Sequence, residues 1–351
     1  MQVYQNDVVI GIDVGDRAGQ VCRLNTRTGE IVEDRVSMTP EAVRKYFLRN
    51  RARLVAIEVG THSRWVSRCI EETGIGVLVA NARRLQLISK SDSKNDRADA
   101  ELLARLAAAD PALLSPIHHR GERSQAALAL LKTRDALVKS RTAKVNQVRG
   151  VAKSFGVRLM KCSAASFSNR VRDDIPEILA PAIHPLLDAI ESDTDRVKLL
   201  TAEIRRSCKE DFPETELLLQ VNGVGDITAL AFVLVLEDPA RFESSRSVGS
   251  YLGLRPRQRD SGMIQKQLRI TKAGDPFLRC LLVQCANYIL GPFGADCDLR
   301  RWGLAIAERG GPNAKRRAKV AVARKLATLL HSLWVTGTEY EPFRSEKRAA
   351  A

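Results

Sequence analysis

The sequence has 351 residues and no apolar run long enough to cross a bilayer: the longest, from Ala229 to Leu236, has eight residues where about 20 are needed. Its seven cysteines include no CxxC pair, so we expect reduced and mostly buried thiols. Only 5% of the residues are aromatic, which argues against a surface that reads single strands mainly by base stacking. The first residues lack the basic and apolar segments of a secretory signal. We expect a cytoplasmic protein without a membrane partner.

Positive charge is in excess and is concentrated in two segments. The chain carries 56 Lys and Arg against 41 Asp and Glu, a net charge of +15. Residues 111–161 hold 11 bases and 2 acids, a net of +9, and residues 216–351 hold 21 and 13, a net of +8. Dense positive charge attracts polyanions because binding releases counterions. Nucleic acid is therefore the first partner to consider, and a merely solvated basic face is the alternative.

The N-terminal third alternates short apolar runs with amphipathic segments. The first three runs resemble an antiparallel meander, and later strands alternate with helices, an order that predicts an α/β domain. Thr39 and Asn95 are predicted helix caps. The pattern predicts strands at 8–13, 19–25, 30–37, 54–58 and 76–80, and helices at 40–48, 63–72, 82–89 and 95–109.

Four acids stand at informative places in this pattern. Asp13 and Glu58 each end a predicted central strand, and Asp96 and Asp99 lie three apart on one helix face. The first and fourth strands of such a sheet are neighbours, so the four carboxylates could converge. Clustered carboxylates repel one another unless cations neutralise them, and oxygen donors suit Mg²⁺ or Mn²⁺. Two such ions can hold the attacking and leaving oxygens of a phosphodiester.

Other interpretations of these residues stay open. Asp99 could simply favour a helix N-terminus, and Glu58 could pair with an arginine of the following helix. The segment GIDVG at 11–15 also suits the phosphate-facing first strand of sugar kinases and chaperone ATPases. NGVGD at 222–226 is a poor match to their second phosphate loop, because its flanks fit two helices better.

A long basic helical pattern follows at 121–155, with apolar residues at seven-residue spacing (Leu131, Val138, Val145 and Ala152). Residues 186–210 repeat the pattern, and neither helix can bury its stripe alone. We expect them to pair as an antiparallel or intermolecular coiled coil. Prolines at 176, 181 and 185 indicate a bend between them. The candidate nucleic-acid contacts on the first helix are Lys132, Arg134, Lys139, Arg141 and Lys144.

The C-terminal part has two glycine-containing turns of interest. Gly223 and Gly225 give 217–229 the form of a helix-hairpin-helix, whose backbone N–H groups can hold a DNA phosphate; an ordinary helical hairpin is the alternative. Ser261 lies among bases that could stabilise charge as a serine hydroxyl attacks a phosphate. On spacing alone an ordinary turn is the better interpretation of Ser261. The further candidate phosphate contacts are Arg255, Arg257, Arg259, Arg269, Lys272, Lys315, Arg316 and Arg317.

These segments together match a known pattern: GIDVG at 11–15, IEVG at 57–60 and KNDRADA at 94–100, then VNGVG at 221–225, YLGLRP at 251–256, SG at 261–262 and ITKAG at 270–274. The sequence resembles DEDD-type transposases with a catalytic serine, the bacterial insertion-sequence family of bridge-RNA-guided recombinases that includes the Piv-type DNA invertases. The resemblance covers nearly the whole chain and is more specific in its second half. Many members of this family have Thr at the position of Asn95. This difference does not change the acids or their spacing.

The resemblance implies that Asp13, Glu58, Asp96 and Asp99 bind Mg²⁺ or Mn²⁺, and that Ser261 is a nucleophile that forms a covalent link to DNA. It implies a homo-oligomer, a dimer or tetramer, in which Ser261 of one subunit completes the metal site of another. Guide RNA and the DNA of the element ends and target would bind the basic segments, with base pairing supplying sequence choice.

The resemblance also implies the division of the chain. An α/β RNase H/RuvC-like catalytic domain is expected at 1–112 and a basic helical coiled-coil arm at 113–212. A mostly α, serine-containing transposase domain with a helix-hairpin-helix-like segment is expected at 213–351.

The expected function is site-specific DNA recombination by an insertion-sequence transposase. One alternative is a RuvC-like junction nuclease that hydrolyses with water and leaves Ser261 structural. Another is a non-catalytic RNA- or DNA-binding protein with a degenerate nuclease domain, although the complete set of acids counts against it.

Overall fold

A computed structural model describes residues 7–81, 95–261 and 264–344, with the backbone alone for 258–261 and 264–267. The chain forms two compact units, Met1–Arg120 and Gly121–Ala351. The first is a mixed α/β sheet domain and the second is mostly helical, as the sequence predicts. The helix expected at 82–89 lies outside the described residues. The three-part division at 1–112, 113–212 and 213–351 stays a prediction.

The first unit is built on a five-stranded sheet with the order β3-β2-β1-β4-β5. The first three strands are antiparallel, whereas β1, β4 and β5 are parallel, an arrangement consistent with the predicted RNase H-like start. The strands are β1 (Val8–Val14), β2 (Ala18–Asn25), β3 (Ile31–Ser37), β4 (Leu54–Glu58) and β5 (Gly76–Ala80). The helices of this unit are α1 (Pro40–Arg49), α2 (Ser63–Glu71) and α3 (Asp96–Ala109).

The two faces of the sheet are covered by different helices because successive side chains of a strand alternate between faces. Ile10 and Ile12 of β1 belong to the apolar cluster that includes Phe47 of α1 and Ile70 of α2. Val9 belongs to a second cluster, formed with residues of α3. The first and third helices begin at the predicted caps, where Thr39 accepts from the Ala42 N–H and Asn95 from the Arg97 N–H.

The contact between α3 and β1 is unusually close. An ideal Cβ on Gly11 would lie 2.0 Å from the Ala100 carbonyl oxygen and 2.6 Å from the Ala104 nitrogen. Only glycine allows the helix backbone to lie directly on the strand at this point. The helix therefore crosses β1 two residues before Asp13.

The second unit begins with two long helices, α4 (Glu122–Ser154) and α6 (Ala180–Glu210), that pack against each other within one chain. Residues later in α4 contact residues earlier in α6. Arg123 pairs with Asp211, Arg134 with Thr201 and Lys144 with Asp193. The pairing is thus antiparallel, one of the two predicted arrangements, and a supercoil stays a prediction.

The bend between the two long helices ends before residue 180, earlier than the sequence pattern indicates. Residue 180 already begins α6, whereas the apolar pattern placed the start at 186. Pro181 lies in the first turn, where its missing N–H has no helical partner to lose. Pro185 lies inside the helix and removes one backbone hydrogen bond. The short helix α5 (Phe167–Val171) packs on this end of α6.

The core of the second unit is centred on a helix that is buried along most of its length. Every residue from Thr228 to Leu236 is buried. This helix packs against both long helices and against the helices that follow it. The remaining helices are α7 (Thr215–Leu219), α8 (Asp226–Leu236), α9 (Ser245–Tyr251), α10 (Pro276–Ile289), α11 (Asp298–Glu308) and α12 (Ala314–Thr336).

Sequence reasoning missed a β-hairpin between α9 and α10. Strands β6 (Pro256–Ser261) and β7 (Ile264–Ile270) pair antiparallel with an irregularity between Pro256 and Gln258. Arginines, glutamines and a proline dominate the two strands. β6 has no alternating apolar residues, and β7 has only Ile264, Leu268 and Ile270 among polar neighbours, which is a weak signal for a half-buried strand.

The seven cysteines are free thiols, as predicted, and five of them are buried. Burial raises the pKa of Cys22 and of Cys208 to about 11, so both are protonated thiols at neutral pH. Among the described helices, none combines the length and apolar character needed to span a membrane.

We predict that Gly11→Ala destabilises the first unit by about 1–3 kcal/mol, because the added methyl group must displace backbone atoms of α3. Gly76→Ala is the matched control, since its methyl group would meet only the Leu54 Cδ1 at 3.8 Å. Chemical denaturation of both variants measures the difference. Equal stability of the two variants would contradict the close packing.

Candidate functional site

Two of the four predicted acids lie at corresponding positions of neighbouring parallel strands. Ile12 of β1 is in register with Ile57 of β4, so Asp13 and Glu58 are the next residues along the two strands. Both face the side of the sheet that α3 covers, because Gly11 and Ala56, two residues earlier, contact or cluster with that helix. Both are partly buried.

The other two acids lie at the start of α3, which runs antiparallel to β1. Ala100 lies over Gly11, whereas Ala107 belongs to the cluster that holds Val9. Asp96 and Asp99 precede Ala100, so the first turn of α3 extends toward the end of β1 where Asp13 lies. Asp99 is 7% exposed and Asp96 is exposed. The backbone thus directs all four acids to one edge of the sheet, which we call the carboxylate edge.

The residues of the carboxylate edge suit a hard divalent cation by their chemistry. Four carboxylates supply the oxygen donors that Mg²⁺ and Mn²⁺ prefer, and the buried position of Asp99 makes a neighbouring cation favourable. Among the described residues, no group of three or more His, Cys, Asp or Glu side chains is assembled for metal binding. The placement of the backbone is compatible with a metal site.

The loops that follow the two acidic strands are joined to each other. Asp16, after β1, accepts a hydrogen bond from the Nε2 of His62 at 3.1 Å. The Nδ1 of the same imidazole accepts from the indole N–H of Trp65 at 3.0 Å. The imidazole therefore carries its proton on Nε2 when it is neutral. This chain of bonds ties the loop after Asp13 to the start of α2.

A second network, missed in the sequence, holds the loop after Glu58. The hydroxyl of buried Ser63 accepts from the Gly60 N–H at 3.0 Å and donates to the Gly60 carbonyl at 2.8 Å. The Nε2 of His119 donates to the same hydroxyl at 3.0 Å. Burial, with a smaller contribution from Arg64, lowers the pKa of His119 to about 4. No local sequence signal links His119 to Ser63, since 56 residues separate them.

Ser261 is the last residue of β6, where its backbone pairs with Ile264. Its side chain and that of Arg259 lie outside the described atoms. The base of the hairpin, in contrast, is described in full. The Thr271 N–H donates to the Arg255 carbonyl at 2.9 Å, and the Lys272 N–H to the Gly253 carbonyl at 3.1 Å. Ser261 therefore stands near the far end of a hairpin that is anchored at its base.

Close backbone contacts explain the glycines of the hairpin base. An ideal Cβ on Gly253 would lie 2.2 Å from the Ala273 carbonyl oxygen, and one on Gly274 2.1 Å from the Tyr251 carbonyl oxygen. Both glycines have positive φ, and so does Lys272, at 57°. Arg279 donates to the Leu252 and Ala273 carbonyls at 3.0 and 2.8 Å. The motifs YLGLRP and ITKAG thus pack closely against each other through their backbones. We call this contact the joint at the base of the hairpin.

The predicted hairpin at Gly223 and Gly225 connects α7 to α8. Gly223 has a φ of +91°, and a Cβ there would lie 2.9 Å from the Cδ1 of Tyr288. Gly225 precedes the first residue of α8 and has open space around it. Two helices joined by a turn are present at the predicted residues. Binding of this turn to a phosphate stays a prediction.

The predicted basic contacts fall into two groups. In the arm, Arg134, Arg141 and Lys144 hydrogen-bond across to α6, and the last of these pairs with Asp193, which is 4% exposed. The exposed candidates are Lys132 and Lys139 of α4, Arg255, Arg257, Arg269 and Lys272 near the β-hairpin, and Lys315, Arg316 and Arg317 in the first turn of α12.

Comparison with known proteins identifies the family. A family model described as "Transposase" matches residues 10–156, and one described as "Transposase IS116/IS110/IS902 family" matches residues 215–292. The transposase for insertion sequence element IS1328 of Yersinia enterocolitica is 30% identical over 342 residues, which cover 95% of this chain and 98% of the relative. The chain belongs to the IS116/IS110/IS902 transposase family.

Other relatives of this IS116/IS110/IS902 transposase are similar over most or part of the chain. The transposase for insertion sequence element IS1111A of Coxiella burnetii is 28% identical over 348 residues, 96% of this chain and 91% of the relative. The pilin gene-inverting protein of Moraxella lacunata is 30% identical over 118 residues, 33% of this chain and 35% of the relative. The predicted family is thus confirmed at the level of a DNA transposase of an insertion sequence.

We predict that His119 makes the stability of the transposase depend on pH. Between about 4 and 6.5, the unfolded chain binds a proton at this imidazole that the folded chain does not bind. The free energy of unfolding should therefore rise with pH across this window and lose that contribution as the pH falls toward 4. Gln can donate to Ser63 without titrating, so His119→Gln should flatten the rise.

His118→Gln is the matched control, because the neighbouring imidazole is exposed. Urea denaturation of the two variants and the parent at several pH values from 4 to 8 measures the effect. An unchanged pH dependence in His119→Gln would show that the imidazole is not held in its neutral form.

Proposed function

We propose that the protein is a site-specific DNA recombinase that moves its insertion element through a covalent phosphoserine intermediate, with Ser261 as the nucleophile and a divalent-metal site at the carboxylate edge. What supports this proposal is that Asp13 and Glu58 end neighbouring strands and that Asp96 and Asp99 begin the helix packed on the first of these strands, in a chain of this transposase family.

At the carboxylate edge, Asp13 and Glu58 would be fixed by neighbouring strands and Asp99 by the packing of α3. A bound Mg²⁺ or Mn²⁺ would neutralise charge on the attacking and leaving oxygens of a phosphodiester. The loop networks of Asp16 with His62 and of Ser63 with His119 would keep the strand ends in place. Positioning of this kind matters because small displacements of catalytic groups cost large factors in rate.

The reaction at Ser261 forms one phosphoester bond and breaks another. The serine oxygen bonds to phosphorus while the bond from phosphorus to a deoxyribose oxygen breaks. The hydroxyl proton passes to solvent, and the departing oxygen takes up a proton. A hydroxyl of a second DNA end then attacks the phosphoserine and restores the serine. The bond energy is conserved through both steps, so ATP is not required.

The basic surfaces supply the proposed nucleic-acid partners. The exposed bases near the β-hairpin and at the start of α12 would contact the phosphates of the element ends and the target. A guide RNA would bind the same kind of surface and choose the sequence by base pairing. A homo-oligomer, a dimer or tetramer, would bring two DNA partners together. Cleavage by water, with Ser261 structural, is the alternative function.

We expect Ser261→Ala to bind DNA carrying the element ends but to form no covalent protein–DNA adduct on a denaturing gel, because no other group replaces the hydroxyl. Ser244→Ala is the control, since that exposed serine also lies in the second unit but far along the chain from the hairpin tip. An undiminished adduct in Ser261→Ala would remove the serine mechanism. Free DNA ends without an adduct in the parent would favour the hydrolytic alternative.

We expect Asp99→Asn and Asp96→Asn to reduce strand cleavage in Mg²⁺ to background, because each substitution removes a negative donor while keeping the side-chain shape. Glu101→Gln is the control on the same helix, where the carboxylate only pairs with Arg105 on the surface. Cleavage assays with equal amounts of folded protein measure the effect. Normal cleavage by both aspartate variants would exclude the proposed metal site.

A further inference from the structure

The first unit contains a cavity far from the carboxylate edge. Its volume is about 420 Å³, and it lies among β1, β2, the start of β3 and the end of α1. Three arginines, two asparagines and one glutamate supply its polar groups: Arg23, Arg49, Arg51, Asn25, Asn50 and Glu30. We call it the arginine cavity. The charged side chains that line it sum to +2, so an anion is the ligand class that it favours.

Arg23 is built into the wall of this cavity. The residue lies on β2 between buried Cys22 and Leu24, and its Nη1 donates to the Oδ1 of Asn50 at 2.6 Å. The Nε is buried and has no hydrogen-bond partner among the described residues. The buried Nε is closed to a molecule in the cavity, so Arg23 contributes positive charge to the wall and no hydrogen bond from this atom.

Arg49 adds a second guanidinium that is available to a ligand. It is exposed at the end of α1, and no carboxylate of the described residues lies within ion-pair distance of it. The C-terminal end of a helix weakly disfavours an anion. Planar guanidinium groups bind phosphate oxygens through paired hydrogen bonds, which outweigh that effect. Phosphate and carboxylate both fit such donors, and phosphate is the anion that a polynucleotide carries.

We propose that the arginine cavity binds a phosphate of a polynucleotide and anchors its backbone away from the site of strand cleavage. That the phosphate belongs to a polynucleotide rests on the proposed function. Val8 lines the cavity and Asp13 lies at the carboxylate edge, five residues later on β1. At about 3.3 Å per residue, the two sites are about 17 Å apart along the strand. The cavity is thus a separate contact, which would hold the nucleic acid without taking part in the chemistry.

The test compares Arg49→Ala with Lys45→Ala in the full chain. Lys45 is exposed one turn earlier on α1 and does not line the cavity, so its removal changes the net charge equally. Fluorescence anisotropy over a series of NaCl concentrations gives affinities for labelled duplex DNA and for single-stranded RNA of the same length. Arg49→Ala should weaken binding of one of these ligands several-fold and reduce its salt slope by about 0.9 for duplex DNA or 0.7 for a single strand. Lys45→Ala should leave both slopes unchanged.

A second variant blocks the cavity without changing its charge. Val32 lines the wall and is 38% exposed on the edge strand β3, so the protein should tolerate a larger side chain there. Val32→Trp should fill the space that a phosphate needs and weaken the same ligand as Arg49→Ala. Thermal unfolding of each variant confirms that it is folded before binding is measured.

The outcomes separate this inference from the proposed function. Loss of affinity in both variants for one ligand supports the cavity and shows whether DNA or RNA occupies it. If the parent binds nucleic acid and both variants bind equally well, the cavity inference is wrong while the recombinase proposal stands. If only Arg49→Ala is weakened, Arg49 contacts the nucleic acid from the open surface and not across the cavity, and the cavity is again excluded. Failure of the parent to bind either ligand would contradict both proposals.

Discussion

The close packing of α3 on β1 determines the geometry of the first unit. A helix that rests on Gly11 with backbone atoms at 2.0 and 2.6 Å from an ideal Cβ cannot shift along the strand without meeting a side chain. Its first turn is therefore fixed relative to the ends of β1 and β4. The direction of the first turn of α3, with Asp96 and Asp99, toward the strand ends that carry Asp13 and Glu58 follows from this single contact. Gly11, which has no functional side chain, thus determines where the first turn of α3 and its two acids lie.

Much of this arrangement could be predicted from the sequence because local patterns determine it. The strands, their order and the caps at Thr39 and Asn95 follow from apolar runs and capping residues that lie next to them. The β6–β7 hairpin could not be predicted, since β6 is polar apart from its proline and β7 carries only three apolar residues. The contact of His119 with Ser63 could not be predicted either, because it joins segments 56 residues apart. The sequence pattern places the start of α6 too late, because proline is expected to break a helix. The structure tolerates the one missing N–H of Pro185 inside the helix.

The basic arm shows why net charge overstates the surface that is free for nucleic acid. Residues 111–161 carry a net charge of +9, yet Arg134, Arg141 and Lys144 hydrogen-bond with α6. The buried Asp193 needs its ammonium partner, because an uncompensated buried charge is strongly destabilising. Part of the positive charge therefore maintains the helix pair. The exposed bases of α12, which stand where the dipole of a helix already attracts anions, are better placed for phosphate contact.

The joint at the base of the β6–β7 hairpin is a strained piece of backbone that surrounding contacts hold in place. Gly253, Lys272 and Gly274 all have positive φ, and the non-glycine residue in this region costs about 1–3 kcal/mol. Such a cost persists only where surrounding contacts hold the backbone, as Arg279 does through two carbonyls. For the proposed nucleophile at the tip, such a base would return the hydroxyl to the same place each time a phosphodiester is bound.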